Sequence, residues 1–264
     1  MASEAGIRLV SFLIVFLLVG LAEQFWPRRR LTVPKVRRWF CNGAIVVINS
    51  LVVRLALPFM PSGVAEMARL NGWGIFNVLV LPLWLKAVLV ILALDLIIYL
   101  QHRAFHRIPF FWRFHRMHHT DLDLDVSSGN RFHPLEILFS LIIKMCVVAA
   151  LGAPVSAVVI FEVLLNASSL FNHGNLRIPA EIDRWLRLIL VTPDMHRVHH
   201  SIIASETDSN FSFNLPWWDR LLGTYREQPR EGHIGMTIGL KEFRDAGKLG
   251  VGYLLMLPFR GRAG

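Results

Sequence analysis

Long apolar stretches alternate with short polar segments along the first two thirds of this 264-residue chain. Five stretches are dominated by apolar residues, at about 7–21, 40–60, 87–100, 135–151 and 155–171. A helix of about 17–20 apolar residues can cross the hydrocarbon core of a membrane. The pattern therefore predicts an all-α, multi-pass membrane bundle of four to five spans, in which the last two form a short hairpin.

Polar and turn-forming residues mark the ends of the predicted spans. The first span extends toward Trp26, a residue type that favours the membrane interface. Lys86 interrupts the third apolar stretch, so we expect that helix to cross from 87 onward and to continue as far as His106. The Gly- and Pro-containing segment 61–74 is predicted to be a loop, and the sequence Gly-Ala-Pro at 152–154 predicts the hairpin turn.

The C-terminal third of the chain is much more polar than the rest. We expect it to form a cytosolic helical cap, with an apolar tail at 249–259 that is too short to span and lies at the membrane interface. The whole chain is predicted to be one integral membrane domain, 1–264. Its parts are the transmembrane helices in 1–100, two histidine-rich segments in 101–134, the hairpin in 135–173 and the cap in 174–264.

The composition agrees with a membrane protein. Hydrophobic residues make up 54% of the chain and charged residues only 18%, whereas soluble domains carry about 25% charged residues. The net charge is +9, which could indicate nucleic acid or an anionic membrane surface. Because the basic residues flank apolar spans, we expect a membrane surface and no nucleic-acid partner.

The distribution of basic residues predicts the orientation. Six lysine and arginine residues lie in 28–38, after the first span, and cytosolic loops are enriched in these residues. This linker is therefore expected in the cytosol and 61–74 on the other side. The end of the third helix then returns to the cytosol. Because the hairpin goes out and back, everything from His173 onward is again expected in the cytosol.

Histidines provide the candidate chemistry. The chain has eleven, ten of them between His102 and His200. Eight form three clusters with helical spacing: His102 and His106; His115, His118 and His119; His196, His199 and His200. Residues three or four apart on a helix share one face, so each cluster presents its imidazoles together. Imidazole binds iron, zinc, copper and nickel.

The number of histidines predicts more than one metal ion. A tetrahedral zinc ion takes at most four protein ligands, whereas two octahedral ions with open positions could use eight or nine. His173 is the natural ninth ligand, because it directly follows the fifth span and returns to the same membrane face. His133 is open between a ligand and a supporting residue, and His233 is expected at the surface.

Three carboxylates are candidates to orient imidazoles through their second nitrogen, as is common around metal sites: Asp95, Glu136 and Asp194. Asp95 precedes His102 by seven residues, on the same helical face. Asp194 follows Thr192 and Pro193, a pattern typical of a helix start, so we favour it as the helix cap.

With these histidine clusters, the chain resembles the fatty acid hydroxylase and sterol desaturase superfamily. The three clusters resemble its histidine boxes, and the resemblance extends over about 94–225. Further matching motifs are Asp95-x-x-x-Tyr99-x-x-His102-Arg103, His133-Pro134-x-Glu136, Asn172-His173-Gly174, and the segment 210–224. The overall character is closest to compact bacterial members of the sterol desaturase branch.

The resemblance implies a non-haem di-iron centre that activates O2. Its ligands would be the eight box histidines and His173, and its substrate a sterol, a fatty acyl chain or a related membrane lipid, hydroxylated or desaturated at a C–H bond. Some members carry a further histidine where this chain has Arg177, so a tenth ligand is absent, replaced by water or supplied by His133. The chain has no flavin, ferredoxin or haem motif, so a cytochrome b5-like or ferredoxin-like donor is expected.

Two other classes of protein fit the histidines less well. A membrane zinc hydrolase needs three or four ligands and a general base, and eight clustered histidines are too many for it. A metal transporter places its ligands at mid-membrane in broken helices, whereas these histidines lie at and beyond the ends of the spans.

Overall fold

The structure is a computed structural model that describes residues 3–260. The regular structure in these residues is helical. Fourteen α-helices are described: α1 Glu4–Phe25, α2 Lys35–Ala56, α3 Pro61–Asn71, α4 Ile75–Val78, α5 Leu83–Arg107, α6 Pro109–His119, α7 Pro134–Leu151, α8 Val155–Asn172, α9 Ala180–Leu186, α10 Pro193–His199, α11 Ala204–Thr207, α12 Trp217–Leu221, α13 Gly232–Gly235 and α14 Val251–Met256. Short 3-10 helices cover Val126–Asn130 and Leu257–Phe259.

Five helical segments are long and apolar enough to cross a membrane, which confirms the predicted multi-pass bundle: Glu4–Phe25, Lys35–Asn71, Leu83–Arg107, Pro134–Leu151 and Val155–Asn172. Their outward faces are apolar. On α1, for example, Leu9, Leu17 and Leu18 are more than half exposed while Glu23 is buried. An apolar exterior around buried polar groups is the distribution that a lipid environment favours.

The segment predicted as the loop 61–74 is mostly helical, so that prediction was wrong. Pro61 occupies the first position of α3, and Gly72 ends the helix in the left-handed conformation with φ 68°. Proline at the start and glycine just past the end are helix boundaries, and we had interpreted them as loop signals. Ala65 and Ala68 are fully buried, and α3 packs against α7 and α8.

The predicted hairpin is present, with arms that match the expected ranges to within one residue. Gly152 makes the turn with φ 65°, and a Cβ atom there would lie 2.5 Å from the carbonyl oxygen of Trp73. Glycine is therefore required both by the backbone conformation and by the close approach of another segment.

The ends of the spans carry the histidines. Helix α5 continues through His106, as predicted, and α6 begins two residues after α5 ends. His173 directly follows α8. In the third cluster, His196 and His199 lie on α10 and His200 directly follows it. The 3-10 helix Val126–Asn130 packs against α2 and α8.

The polar C-terminal third contains short helices of four to seven residues joined by long irregular segments. Its apolar tail is held to the bundle by one face. Leu254 and Leu257 are buried against Cys41, Ile45 and Met117, whereas Met256 and Phe259, also in the tail, remain exposed.

Candidate metal centre

The structure brings nine histidines together in two adjacent groups. The first group contains His102, His106, His115, His119 and His199, and the second contains His118, His173, His196 and His200. Within each group, the candidate ligand nitrogens lie within 4.8 Å of one another. These are the eight clustered histidines and His173.

The second and third histidine clusters of the sequence are each divided between the two groups. His118 and His119 are neighbours on α6 but belong to different groups, and His199 and His200 are divided in the same way. Neighbouring residues on a helix point about 100° apart, so a His-His pair can serve two adjacent centres.

The ε nitrogens converge within each group. In the first group, Nε2 of His115 lies 3.1 Å from Nε2 of His102 and 3.2 Å from Nε2 of His119. In the second, Nε2 of His173 lies 3.0 Å from Nε2 of His118 and 3.2 Å from Nε2 of His196. Lone pairs directed at a common point in this way fit a bound cation.

The δ nitrogens of several histidines face fixed acceptors. Nδ1 donates to backbone carbonyl oxygens at 2.7 Å from His102 to Phe211, at 2.7 Å from His173 to Ser169 and at 2.8 Å from His199 to Ser209. Such a bond leaves Nε2 as the free lone pair and holds the ring in place. The set therefore fits a metal centre better than a hydrogen-bonded polar cluster.

The histidines outside the spanning helices are held in the neutral state. Burial lowers the pKa of His115 to about 3 and, despite a hydrogen bond to Ser169, that of His173 to about 4. The pKa of His119 and His200 lies well below the ordinary value, mainly because the rings are buried and also because other histidines lie close to them. Neutral imidazoles offer a lone pair to a metal. Nε2 of His199 is buried without a hydrogen-bond partner in residues 3–260.

Glu136 is the acidic residue among the three candidates that contacts a histidine of these groups. It lies in the first turn of α7, and its Oε1 accepts a hydrogen bond of 2.6 Å from Nδ1 of His115. Carboxylate partners of this kind fix the tautomer of a ligating histidine and raise its basicity.

The segment that carries the histidines also matches a known protein family. The family model for fatty acid hydroxylases matches residues 87–224, about half of the chain, and this segment contains all nine histidines. The chain belongs to the fatty acid hydroxylase family.

Similar proteins of known function match different shares of this chain. The chain is 28% identical to ornithine lipid hydroxylase OlsE of Rhizobium tropici over 98% of its own length and 78% of that protein. It is 27% identical to alkylglycerol monooxygenase of Homo sapiens over 58% of its length and 33% of that protein. It is 27% identical to very-long-chain aldehyde decarbonylase GL1-1 of Oryza sativa subsp. indica over 61% of its length and 28% of that protein. No solved structure matches the chain.

Asp95, a candidate to orient an imidazole, has its hydrogen-bond partners in a different segment. Its carboxylate accepts hydrogen bonds from the side chains of Asn214 and Trp218, both at 2.8 Å, and from the backbone of Leu215 at 3.3 Å. The seven-residue offset from His102 moves it about 10 Å along α5. In this member of the fatty acid hydroxylase family, Asp95 thus holds the segment that follows the last histidine cluster.

The cap predicted at Asp194 is formed instead by Thr192, whose hydroxyl accepts from the backbone of Met195. Asp194 bonds to Arg28 and Arg197. His233, expected at the surface, is buried, and its Nε2 lies 3.6 Å from Asp194. The prediction of a surface position for His233 was wrong because α13, which carries His233, packs against α10.

His133 lies outside both groups and both its ring nitrogens have partners. Nδ1 accepts from the backbone of Leu135 and Nε2 donates to the carbonyl of Leu255 at 3.1 Å, so His133 caps α7. Arg177 is exposed. Neither position contributes a tenth nitrogen to the two groups.

Two groups of buried supporting residues near the histidines were not predicted from the sequence. Asp219 accepts from the backbone of Phe211 and Ser212, which fixes the carbonyl that takes the hydrogen bond of His102. Arg38 forms buried ion pairs with Asp121 and Asp125. The alternating aspartates at 121, 123 and 125, next to the second cluster, were the signal that could have revealed this network.

Proposed function

We propose that this chain is an O2-dependent di-iron oxidoreductase that hydroxylates or desaturates a C–H bond of a membrane lipid. The observation that carries the proposal is the division of nine histidines into groups of five and four. Each group has enough nitrogens for one octahedral ion with an open position. A single zinc ion would leave about half of these buried imidazoles unused.

Iron would supply the O2 chemistry, which side chains alone cannot perform. The protein residues perform the remaining tasks. Histidines with lowered pKa present neutral nitrogens, and the Nδ1 hydrogen bonds keep their rings fixed. Glu136 and the carbonyl of Phe211 position His115 and His102, the two ligands that also line a cavity.

That cavity supports a lipid substrate. It has a volume of about 310 Å³ and lies among α1, α5, α7 and α8. Its walls include Phe12, Ile98, Leu141 and Leu165, so an acyl chain or a comparable apolar body would find matching surroundings beside the metal ligands. Apolar walls of this kind would disfavour water next to the reacting carbon.

The printed names of the relatives fit the same class of reaction. OlsE is a lipid hydroxylase, and the human relative is an alkylglycerol monooxygenase. The chain covers only a third of the latter, so we carry over the class of reaction and not the substrate.

We place the centre on the cytosolic face, because the basic linker 28–38 is on the same side of the bundle as the histidines. Arg28 pairs with Asp194, and Arg29 donates to the carbonyl of Met236. A separate protein, cytochrome b5-like or ferredoxin-like, would deliver electrons there. Labelling of single cysteines introduced at 30 and 70 in intact cells tests this, since only position 70 should react with an impermeant reagent.

Metal analysis tests the central claim. Protein purified in detergent after expression with added iron should contain about two irons per chain and should oxidise a lipid when given O2 and a reductant. A content of one zinc and no iron, persisting under iron supply, would contradict the proposal and favour a hydrolase.

A further inference from the structure

The cavity beside the histidines has a charged far end. One end is lined by His102 and His115 of the first histidine group. The opposite end is lined by three charged side chains from α1, α8 and α7, namely Arg8, Glu162 and Lys144. Nothing in the di-iron chemistry uses these three residues.

Helix geometry gives the separation of the two ends. Glu136 at the histidine end and Lys144 at the charged end are eight residues apart on α7, or about 12 Å. Ser169, whose carbonyl holds His173, and Glu162 are seven residues apart on α8, or about 10 Å. The wall between the two ends is mainly apolar and includes Ile137, Leu141, Val163 and Leu165.

The three charged residues form one cluster in which a carboxylate lies between two cations. Oε2 of Glu162 is 2.8 Å from Nη2 of Arg8, and its Oε1 is 3.4 Å from Nζ of Lys144. The side chains of Lys144 and Glu162 are each only 9% exposed. Ionisable groups inside membrane helices are costly and usually serve a function.

The cluster has donors and positive charge to spare. The Lys144 ammonium has three N–H groups, and within residues 3–260 Glu162 is its one hydrogen-bond partner. Two cations and one buried anion leave an excess of one positive charge at this end of the cavity. Glu4 also contacts Arg8, but its side chain is 45% exposed, so solvent and headgroups screen it.

We propose that this cluster, Arg8, Lys144 and Glu162, binds the anionic end group of a single-chain amphiphile and so sets which carbon lies beside the histidines. The inference rests on the proposed function for the oxidation itself. What it adds is that the charged end of the cavity binds the charged end group of the substrate, so that the oxidised carbon lies at a fixed distance from that group. A cavity of about 310 Å³ suits one chain better than a two-chain phospholipid.

A purely structural role for the cluster, fastening α1 to the hairpin, makes different predictions. Loss of any member would then lower stability without changing which lipid binds. The affinity for a charged lipid is therefore compared with the affinity for its neutral counterpart. The ratio of these two affinities does not change when only the stability of the protein changes.

The experiment measures equilibrium binding of tritiated palmitate, of its methyl ester and of hexadecyl phosphate to the full-length protein in detergent, without O2 or reductant. The wild-type protein should bind the two anions at least about ten-fold more tightly than the ester. The tighter of the two anions identifies the end group as a carboxylate or a phosphate.

Variants change the ratio in opposite directions. Lys144→Met, and independently Arg8→Met, should weaken binding of the anions by about ten-fold and leave ester binding unchanged, with Glu162 still paired to the remaining cation. Glu162→Gln should strengthen anion binding. Arg54→Met, which removes an exposed span arginine outside the cavity lining, should change neither.

Equal affinity for palmitate and its ester in the wild-type protein would overturn the proposal. So would a Lys144→Met protein that keeps the wild-type ratio. Because the assay needs no turnover, the preference can be present in a protein that lacks iron, and it can be absent from one that oxidises lipids. The two proposals therefore fail separately.

Discussion

Nδ1 of His115 donates a hydrogen bond of 2.6 Å to Oε1 of Glu136, and this pair links α6 to the first turn of the membrane helix α7. The two residues are 21 positions apart. The bond places a carboxylate behind a histidine whose Nε2 faces two other candidate ligands. Metal affinity should therefore depend on a residue that itself lies outside the metal-facing set.

Replacing Glu136 tests this dependence. Glu136→Ala should lower iron affinity by about 10–100-fold, because the His115 ring loses its fixed tautomer and orientation. Glu136→Gln keeps an acceptor oxygen and should retain most of the affinity. The measurement is the iron that remains bound as a competing chelator is titrated.

The matched control is Glu66→Ala, which removes an exposed carboxylate on α3 that pairs with Arg69. It should titrate like the wild-type protein. If Glu136→Ala also titrated like the wild type, the Glu136–His115 bond would have no influence on the metal.

The division of neighbouring histidines between two groups predicts separable metal losses. His118→Ala removes a nitrogen from the second group and His119→Ala from the first. Each variant should retain about one iron per chain, and the double variant about none. Elemental analysis gives the count, and Mössbauer spectra should show that the two single variants keep different irons.

His233→Ala serves as the control, since His233 is buried but lies outside both groups. It should keep both irons, although the lost packing should lower its unfolding temperature. Identical Mössbauer spectra for His118→Ala and His119→Ala would contradict the assignment of these neighbours to separate sites.

The clustering of the histidines could be predicted from the sequence because their spacing is local. Spacings of three and four residues place side chains on one helical face whatever the rest of the fold does. How the clusters interleave could not be predicted, because it depends on how α5, α6, α8 and α10 meet. The spans were predictable for a similar reason, since hydrophobic length is a local property.

The supporting residues were harder to predict because their partners are distant in sequence. Asp95 shares a helical face with His102, yet its partners lie about 120 positions away, at Asn214 and Trp218. Asp194 lies near a helix start, but Arg28 and Arg197 use its oxygens. In α3, the proline and glycine were interpreted as loop residues, although they mark the two ends of a helix.

The three hydrogen bonds that Asp95 accepts predict an effect on stability. Asp95→Ala leaves the indole N–H of Trp218 and the amide of Asn214 unpaired in a partly buried position, which should cost up to about 1–3 kcal/mol for each group left unsatisfied. Asp95→Asn keeps one acceptor oxygen and should cost less. Thermal unfolding in detergent gives the order of the variants.

Limited proteolysis distinguishes a local effect from a general one. In Asp95→Ala, cleavage within 210–219 should increase before cleavage elsewhere, because Asp95 fixes that segment to α5. Uniform cleavage along the chain, or an unchanged unfolding temperature, would show that the segment is held by other contacts.

Close packing of the 3-10 helix on α8 makes Gly129 irreplaceable. A Cβ atom at this position would lie 2.5 Å from the carbonyl oxygen of Ser169, and the Ser169 hydroxyl donates to the Gly129 carbonyl at 2.6 Å. Gly129→Ala must therefore push the 3-10 helix away from α8, at a cost of about 1–3 kcal/mol. The clash is with the Ser169 carbonyl oxygen that also accepts the Nδ1 hydrogen bond of His173, so the substitution should disturb the position of this candidate ligand as well.

Gly43→Ala is the matched control, since no heavy atom lies within 4 Å of its added Cβ. Gly43 lies inside α2, where alanine is favoured over glycine by about 0.5–1 kcal/mol. The two substitutions should therefore shift the unfolding temperature in opposite directions, and only Gly129→Ala should lower iron content. A Gly129→Ala protein as stable as Gly43→Ala, with its iron intact, would show that α8 and the 3-10 helix are not in the close contact described.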